Sequence, residues 1–486
     1  MLEDVRVLRL FEMISRQKGP PSRRIIHAII SIALRLFFRR IETTNVERVP
    51  MTGPLIFVLN HPNGLIDPAL VFCALPRRVS FLAKSTLFPL PVLGYLMRVL
   101  EALPVYRRID QGADVSRNVR TFEACYELLR RGRCIALFPE GVSHSRTELL
   151  PMKTGAARIA LGALSRAADG GPDQPLRGLR IMPVGLYYTS PTTFRSEALL
   201  RFGDYFEVQA VAPDEDGEPP RAAVKELSRR IEEALREVTL NVESHEALAE
   251  VTKAEELFSS IYETLDVRQS LTATFNRLRR LAEWRTRFLR SSLAPRIERL
   301  RTRILNYEEE LSRIGISPEN LSLASHSGWF VFQHFLLRTI LLALLFPLAF
   351  TGAILHMPAY FICDIAARIY TRHGADDAAS TVKILVAIVL MPLTWIGAAA
   401  GVYFQWGWRM ALLAFPLSIV AGYVAMRSIE ELYDMRGWFK AIFILLSRRG
   451  LYLRLLIERK ALHEEIEQLS KAEQTMPTAE ARGKDQ

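Results

Sequence analysis

The chain has 486 residues, 24% of them charged and 49% hydrophobic, so it is too rich in core-forming side chains to be disordered and long enough for a catalytic domain with substantial additions. Its 63 Lys and Arg against 52 Asp and Glu leave a formal charge of +11, which favours anionic partners. No zinc-ligand spacing or RNA-binding signature accompanies that charge. Nucleic acid is therefore not expected as a partner, and an anionic phospholipid surface is preferred. Cys73, Cys125, Cys134 and Cys363 show no paired spacing and read as small buried hydrophobes rather than a disulfide framework.

The chain starts Met1-Leu2-Glu3-Asp4, acidic where a secretory signal is basic, so no cleavable signal is expected. Residues 22–40 predict a helix. Arg24, His27, Ser31, Arg35 and Arg39 recur at spacings of three or four as a polar stripe, and Ile25, Ile26, Ile29, Ile30, Ile32, Leu34, Leu36, Phe37 and Phe38 fill the other faces. That pattern suits an amphipathic helix lying in a headgroup layer, and it also suits a helix packed on a core. Residues 1–45 are read as this interfacial region.

From 46 to 215, β-rich runs alternate with helical patterns. This predicts an α/β catalytic domain with a mostly β core flanked by helices. Strands are expected at 55–60, 78–83, 102–105, 134–138, 180–187 and 203–209, and helices at 68–75, 113–131 and 152–166.

The first strand leads into Asn60-His61-Pro62-Asn63-Gly64-Leu65-Ile66-Asp67-Pro68. A neutral histidine is the usual general base near neutral pH, and a buried carboxylate fixes its tautomer. In one continuous helix His61 and Asp67 would point about 240° apart, so they meet only if the intervening residues form a loop, which Pro62, Asn63 and Gly64 favour. A plainer reading also fits: Asp67 caps a helix whose first residue is Pro68, and His61 is an ordinary loop histidine.

Three later segments bear on that choice. Pro104-Val105-Tyr106-Arg107-Arg108 follows a strand with two guanidiniums, suited to phosphate oxygens. Phe138-Pro139-Glu140-Gly141-Val142-Ser143-His144-Ser145 places a carboxylate and hydroxyls in a glycine turn. Ile181-Met182-Pro183-Val184-Gly185 is a strand interrupted by proline, expected at an edge or a bulge. Lys153 and Arg158, at the start of the next helix, are either phosphate ligands or surface charge. Ser143 and His144 are neighbours whose side chains point apart in an extended turn, and no Gly-x-Ser-x-Gly elbow is present, so a hydrolytic nucleophile is not expected.

In this order and spacing the four segments resemble the glycerolipid acyltransferase family, of the 1-acylglycerol-3-phosphate and glycerol-3-phosphate acyltransferase type, over roughly 46–215. The resemblance implies His61 as general base with Asp67 as its partner. It further implies substrate contacts from Arg107, Arg108, Glu140, Gly141, Ser143 and Lys153, with Pro183 in the block on the acyl-donor side. The implied reaction moves a fatty acyl group from an acyl thioester to glycerol-3-phosphate or its 1-acyl derivative. No bound cofactor or metal is expected; acyl-CoA or acyl carrier protein is a co-substrate. Two departures stand out: five residues rather than four separate His61 from Asp67, and Val105-Tyr106 replaces the usual Phe and acid. The longer spacing is similar to the branch of fungal glycerol-3-phosphate and dihydroxyacetone-phosphate acyltransferases. The rival reading is a non-catalytic lipid-binding or scaffold protein.

Beyond a polar break at 214–220, residues 216–328 predict a charged helical region. Its 277–303 stretch is dense in arginine and reads as a solvated face or as a surface held at anionic headgroups. Residues 329–430 predict transmembrane helices at 335–362, 382–404 and 410–426, the first breakable at Pro347 into two half-helices. Residues 431–486 predict a basic amphipathic helix and a polar tail, disordered beyond about 465. The expectation is an integral membrane protein with its catalytic domain on the cytoplasmic face.

Overall fold

The computed structural model describes residues 20–107, 109–110, 114–169, 176, 178–261, 269–288, 294–325, 328–371 and 379–474. Contacts divide the chain into two compact units, Met1–Asn241 with Ile365–Leu385, and Val242–Asp364 with Val386–Gln486.

The first unit is built on a sheet of β1 (Arg40–Thr44), β2 (Leu55–Leu59), β3 (Val79–Lys84), β4 (Leu103–Val105), β5 (Cys134–Leu137), β6 (Arg180–Tyr188), β7 (Glu197–Phe202) and β8 (Phe206–Glu207). The order is β1-β7-β6-β2-β5-β3-β4, with β8 also on β6. Strands β2, β3, β4, β5 and β6 run parallel to their neighbours in that set, while β7 and β8 meet β6 antiparallel. Every residue of β2 is buried, as a strand covered on both faces requires. Its alternation separates two cores. Leu55, Phe57 and Leu59 pack with α1 (Pro21–Phe37) and α2 (Ile66–Ala74). Ile56 and Val58 pack with α4 (Asn118–Arg130), α5 (Gly155–Asp169) and α6 (Arg221–Val238). A further helix, α3 (Pro91–Val99), lies between β3 and β4 in the chain.

The expected strands and helices are found, with β1, β7 and α3 in addition, and with three differences. Of the anticipated strand at 203–209 only the two-residue β8 forms, and β7 ends before it at Phe202. The first helix stops at Phe37 and the chain turns extended, giving β1 where a helix was expected to run on to residue 40. The helix is also oriented differently: its polar stripe divides. His27 and Ser31 are buried together with Arg23, and Leu34 and Phe37 enter the core. Arg24 and Arg35 face outward. The exposed side carries Ile25, Ile29, Ile32 and Leu36, an apolar stripe at helical spacing.

Pro183 is not at a sheet edge. It sits within β6, paired with Val58 of central β2, and it is buried. Its other neighbour changes at that point: β8 pairs as far as Ile181 and β7 begins at Val184. The Pro183 carbonyl accepts from Gly203 N at 2.9 Å. The nitrogen of the same residue points to the same side, so the missing N–H falls in the gap between β7 and β8 and no ladder bond is lost.

The second unit is helical: α7 (His245–Ser259), α8 (Leu271–Phe288), α9 (Ala294–Ile314), most of α10 (Gly328–Thr371) and α11 (Ala379–Trp406), α12 (Trp408–Ser447) and α13 (Arg449–Gln474). Leu300, Ile304, Tyr307, Leu455 and Leu462 are among its core residues. The arginine-dense stretch resolves into ion pairs: Arg277 with Glu255, Arg285 with Glu243 and Glu250, Arg301 with Glu250 and Glu298, and Arg303 with Glu458 and Glu465. Acids on α7 and α13 thus take up the charge that the sequence offered to headgroups. The described helix α13 reaches Gln474, past the point where disorder was expected.

Helices α10, α11 and α12, of 44, 28 and 40 residues, are each long and apolar enough to cross a membrane. Pro347 and Pro358 lie inside α10, which continues through both. It does not break into two half-helices, because a proline removes one ladder bond while the apolar turns on either side keep theirs. Within the second unit α10 and α12 meet through an Arg338–Glu431 pair at 2.9 Å.

Candidate active site

The parallel strands set the site. His61 follows the carboxyl end of β2, Lys84 ends β3, Arg107 follows β4, Glu140 follows β5 and Tyr188 ends β6. Open α/β sheets bind ligands outside the carboxyl ends of their parallel strands, and all five side chains emerge from that edge.

The loop between β2 and α2 is pinned at its start by Asn60, whose side chain donates to Leu186 O at 2.9 Å and accepts from Leu186 N at 2.7 Å. This side-chain pair extends the β2–β6 pairing. Helix α2 starts at Ile66 with Leu65 as its cap, so Asp67 lies in the first turn and does not cap. Its fully buried carboxylate instead turns back into the loop. His61 Nδ1 stands 2.8 Å from Asp67 Oδ2, which also accepts from Asn63 N at 2.8 Å. Tyr188 donates its hydroxyl to Oδ1 at 2.5 Å. Burial and the Asp67 charge push the Tyr188 phenol well above its ordinary value, so it stays a donor.

With the carboxylate accepting, Nδ1 carries the proton and Nε2 keeps its lone pair. The imidazole lies flat on Phe138, ring centroids 3.9 Å apart. One ring face is thereby covered and its plane is fixed.

Glu140 is buried and used on both oxygens. Oε1 accepts from His61 N at 3.0 Å; Oε2 accepts from Leu150 N at 2.7 Å and meets His144 Nε2 at 2.5 Å. His144 N in turn donates to His61 O at 3.0 Å. The two loops are thus laced together around His61, with the His144 ring held by Glu140.

Arg107 makes a forked contact with Asp110, at 3.0 and 2.8 Å, and donates to Gly141 O at 2.8 Å. Lys84 Nζ approaches the same carboxylate at 3.5 Å. The Arg107 hydrogen bonds hold the Asp110 carboxyl below its ordinary value. Gly141 has φ of +75°, and a Cβ built there would stand 2.6 Å from Lys153 Nζ. The left-handed backbone therefore favours glycine, and a side chain there would push the end of the lysine aside. Arg107 and Lys84 share the Asp110 carboxylate, and Lys153 passes beside Gly141, whose carbonyl Arg107 holds.

Of the other residues expected at the site, Ser143 is half-buried in the Glu140 loop, and Arg108 lies outside the described residues. Pro183 is inside the sheet. Gly185, two residues on, is fixed by packing, since a Cβ there would fall 2.0 Å from Val238 O of α6. Lys84, Asp110 and Tyr188 were not anticipated. Their signal lay in strand ends, and Tyr188 is 121 residues from the aspartate it serves.

On this sheet a histidine–carboxylate pair beside cationic side chains can deprotonate a hydroxyl and hold a phosphate. The comparisons give the class, an acyltransferase. The acyltransferase family model matches residues 40–186, and that of the glycerol-3-phosphate acyltransferase 2 C-terminal domain matches residues 256–475. Among curated relatives, an uncharacterised acyltransferase of Schizosaccharomyces pombe is 25% identical across 91% of this chain and 79% of its own length. Two glycerol-3-phosphate O-acyltransferases of Saccharomyces cerevisiae are 29% and 26% identical over 57% and 78% of this chain, covering 37% and 61% of their own lengths. Among solved structures, the 1-acyl-sn-glycerophosphate acyltransferase of Thermotoga maritima is 20% identical, covers 44% of this chain and 80% of that one, and has a TM-score of 0.31. The chain thus joins an acyltransferase domain, at 40–186, to a C-terminal domain of the kind named for glycerol-3-phosphate acyltransferase 2, at 256–475.

Proposed function

We propose that the protein is a membrane-bound acyl-thioester:glycerol-3-phosphate O-acyltransferase with His61 as its general base. His61 Nε2 takes the proton of an acceptor hydroxyl as that oxygen attacks the thioester carbonyl carbon. The C–S bond then breaks, and the proton returns from Nε2 to the leaving thiolate. One ester and one thiol are formed, and no enzyme nucleophile is needed. Asp67 holds the Nδ1 proton and steadies the transient imidazolium. Arg107, Lys84 and Lys153 receive the acceptor phosphate; a guanidinium has more donors than Arg107's three contacts use. Glu140 acts as the brace that holds the His61 loop.

The single observation that carries this reading is the His61–Asp67 contact at 2.8 Å, beside a cationic cluster at the carboxyl ends of the strands. The choice of glycerol-3-phosphate over its 1-acyl derivative rests on the match at 256–475 and on the two yeast relatives. Relatives named as 1-acylglycerol-3-phosphate acyltransferases match much less of the chain, 36% and 29% in two of them. The three apolar helices support membrane residence. The test is acyl transfer from labelled acyl-CoA or acyl carrier protein to each acceptor in purified membranes, beside His61→Ala. Product from glycerol-3-phosphate that disappears in the variant is expected. Transfer surviving in His61→Ala would overturn the mechanism, and product from the 1-acyl acceptor alone would overturn the choice of substrate.

A further inference from the structure

Residues 379–385 open an apolar helix long enough to cross a membrane, yet they belong to the unit that holds the site. Ala379, Ser380 and Thr381 are buried there, and Ile384 packs against the same core as Leu59 and Val71. Their polar atoms are committed to the catalytic loops. The Thr381 hydroxyl accepts from Leu65 N at 3.2 Å, two residues before Asp67. Ser380 donates to Pro191 O at 2.5 Å, the carbonyl that also takes Asn63 Nδ2 at 2.8 Å. Lys383 Nζ, the charge that interrupts an otherwise apolar run, reaches Thr192 O at 3.5 Å.

These contacts close a circuit. The loop 61–67 is bound at Leu65 and Asn63, the loop after β6 at Pro191 and Thr192, and the start of α11 touches both. Leu65 N belongs to the cap residue of α2, one of the donors a helix leaves unmatched at its start. Asn60, Asn63 and Tyr188 hold the other side of the same loop.

We propose that Thr381, supported by Ser380, is a positioning residue for the His61–Asp67 pair, so that the first turn of α11 is part of the catalytic apparatus as well as the beginning of an apolar span. The proposal rests on the reading of His61 as base. The hydroxyl fixes Leu65 N, and through it the turn that carries Asp67 against the imidazole. Neither residue touches substrate. Its loss acts on the rate of the chemical step, because a misplacement of an ångström or less between reacting groups costs large factors in rate while leaving binding groups intact.

The test uses the full-length protein in membranes with the acceptor and acyl-CoA, comparing wild type, Thr381→Val, Thr381→Ser, Ser380→Ala and His61→Ala. Valine keeps the shape and removes the acceptor oxygen; serine keeps the oxygen. The expected result for Thr381→Val is a kcat lower by about tenfold or more, with both KM values within about twofold of wild type. Thr381→Ser should recover most of the rate, and Ser380→Ala should show a smaller loss of the same kind. Should the valine variant fail to accumulate, Thr381→Ala against Thr381→Ser reads the same oxygen. Wild-type kcat in Thr381→Val, a loss that serine does not restore, or a rise in KM at constant kcat would each overturn the proposal. Activity in His61→Ala would instead overturn the underlying reading, and the proposal with it, whatever the threonine variants do.

Discussion

At the scale of single residues, the proposed mechanism turns on the proton at His61 Nδ1. Asp67 accepts it, and Asn63 N and Tyr188 occupy the carboxylate's other positions. Asp67→Asn keeps the volume but removes the charge. Its amide oxygen stays toward Asn63 N and His61 Nδ1, so the imidazolium of the proposed reaction loses its counter-charge. A fall in kcat of about 10²–10⁴-fold is expected, with KM little changed; near-normal turnover would show that the Asp67 charge is not used. Tyr188→Phe leaves the buried Asp67 side chain one donor short, and a loss of about 1–3 kcal/mol in stability is expected from denaturant melts. Gly141→Ala forces an L side chain into the left-handed region, at about 1–2 kcal/mol, and displaces Lys153. Its expected signature is a higher KM for the phosphorylated acceptor and an unchanged KM for the thioester; equal changes in both would detach Lys153 from the phosphate. Much of this site was legible in the chain. Pro62, Asn63 and Gly64 announced the loop that lets His61 and Asp67 meet. Tyr188 and Thr381 were not legible, because each reaches the loop from far along the chain, 121 residues from Asp67 and 316 from Leu65.

At the scale of elements, pattern reading succeeded where both faces are buried and failed where a residue's neighbours decide its environment. Central β2 and β5 are continuous apolar runs and were found almost to the residue. Helix α1 has the period of an amphipathic helix, but period does not say which stripe turns inward. The side with Arg23, His27 and Ser31 does, since Phe72 receives Arg23 as a cation–π contact and His27 edge-on. Burial first, and the Arg23 and Arg35 charges next, hold the His27 imidazole below its ordinary value. As pH falls below the ordinary histidine range, the unfolded chain takes up the proton that the folded one resists. Stability is therefore full above about pH 6.5 and lost as pH drops through the window below it. His27→Leu should flatten that acid-side fall in melting temperature between about pH 7 and 5; parallel curves for the two proteins would remove His27 from the account. Between elements of the second unit, Arg338 on apolar α10 pairs with Glu431 on α12. Arg338→Leu alone strands a carboxylate, whereas Arg338→Leu with Glu431→Leu removes both charges. The single variant is expected to accumulate poorly in membranes and the double one to recover. Equal yields from single and double variants would show that the pair is solvated.

At the scale of the whole molecule, the proposed reaction joins a water-soluble thioester and phosphate to a product that is a lipid, and the chain carries both polar and apolar surfaces. Phe346, Leu344, Leu393, Phe404, Leu412 and Leu417 are large apolar side chains left exposed on the three long helices. Trp406 and Trp408 stand exposed where α11 gives way to α12, the kind of residue that settles at a membrane–water boundary. A span needs about 20 apolar residues, and helices of 44, 28 and 40 residues exceed that. The basic charge could produce membrane association by itself, since arginines attract anionic headgroups, but ionic attachment is screened by salt and burial of apolar helices is not. Arg277, Arg301 and Arg303 are already paired with acids, which weakens the ionic route further. The protein is therefore expected to stay with sedimented membranes through high salt and alkaline carbonate and to leave only in detergent. Release by salt alone would make attachment electrostatic and would leave the exposed apolar faces of α10, α11 and α12 to be covered by protein instead of lipid.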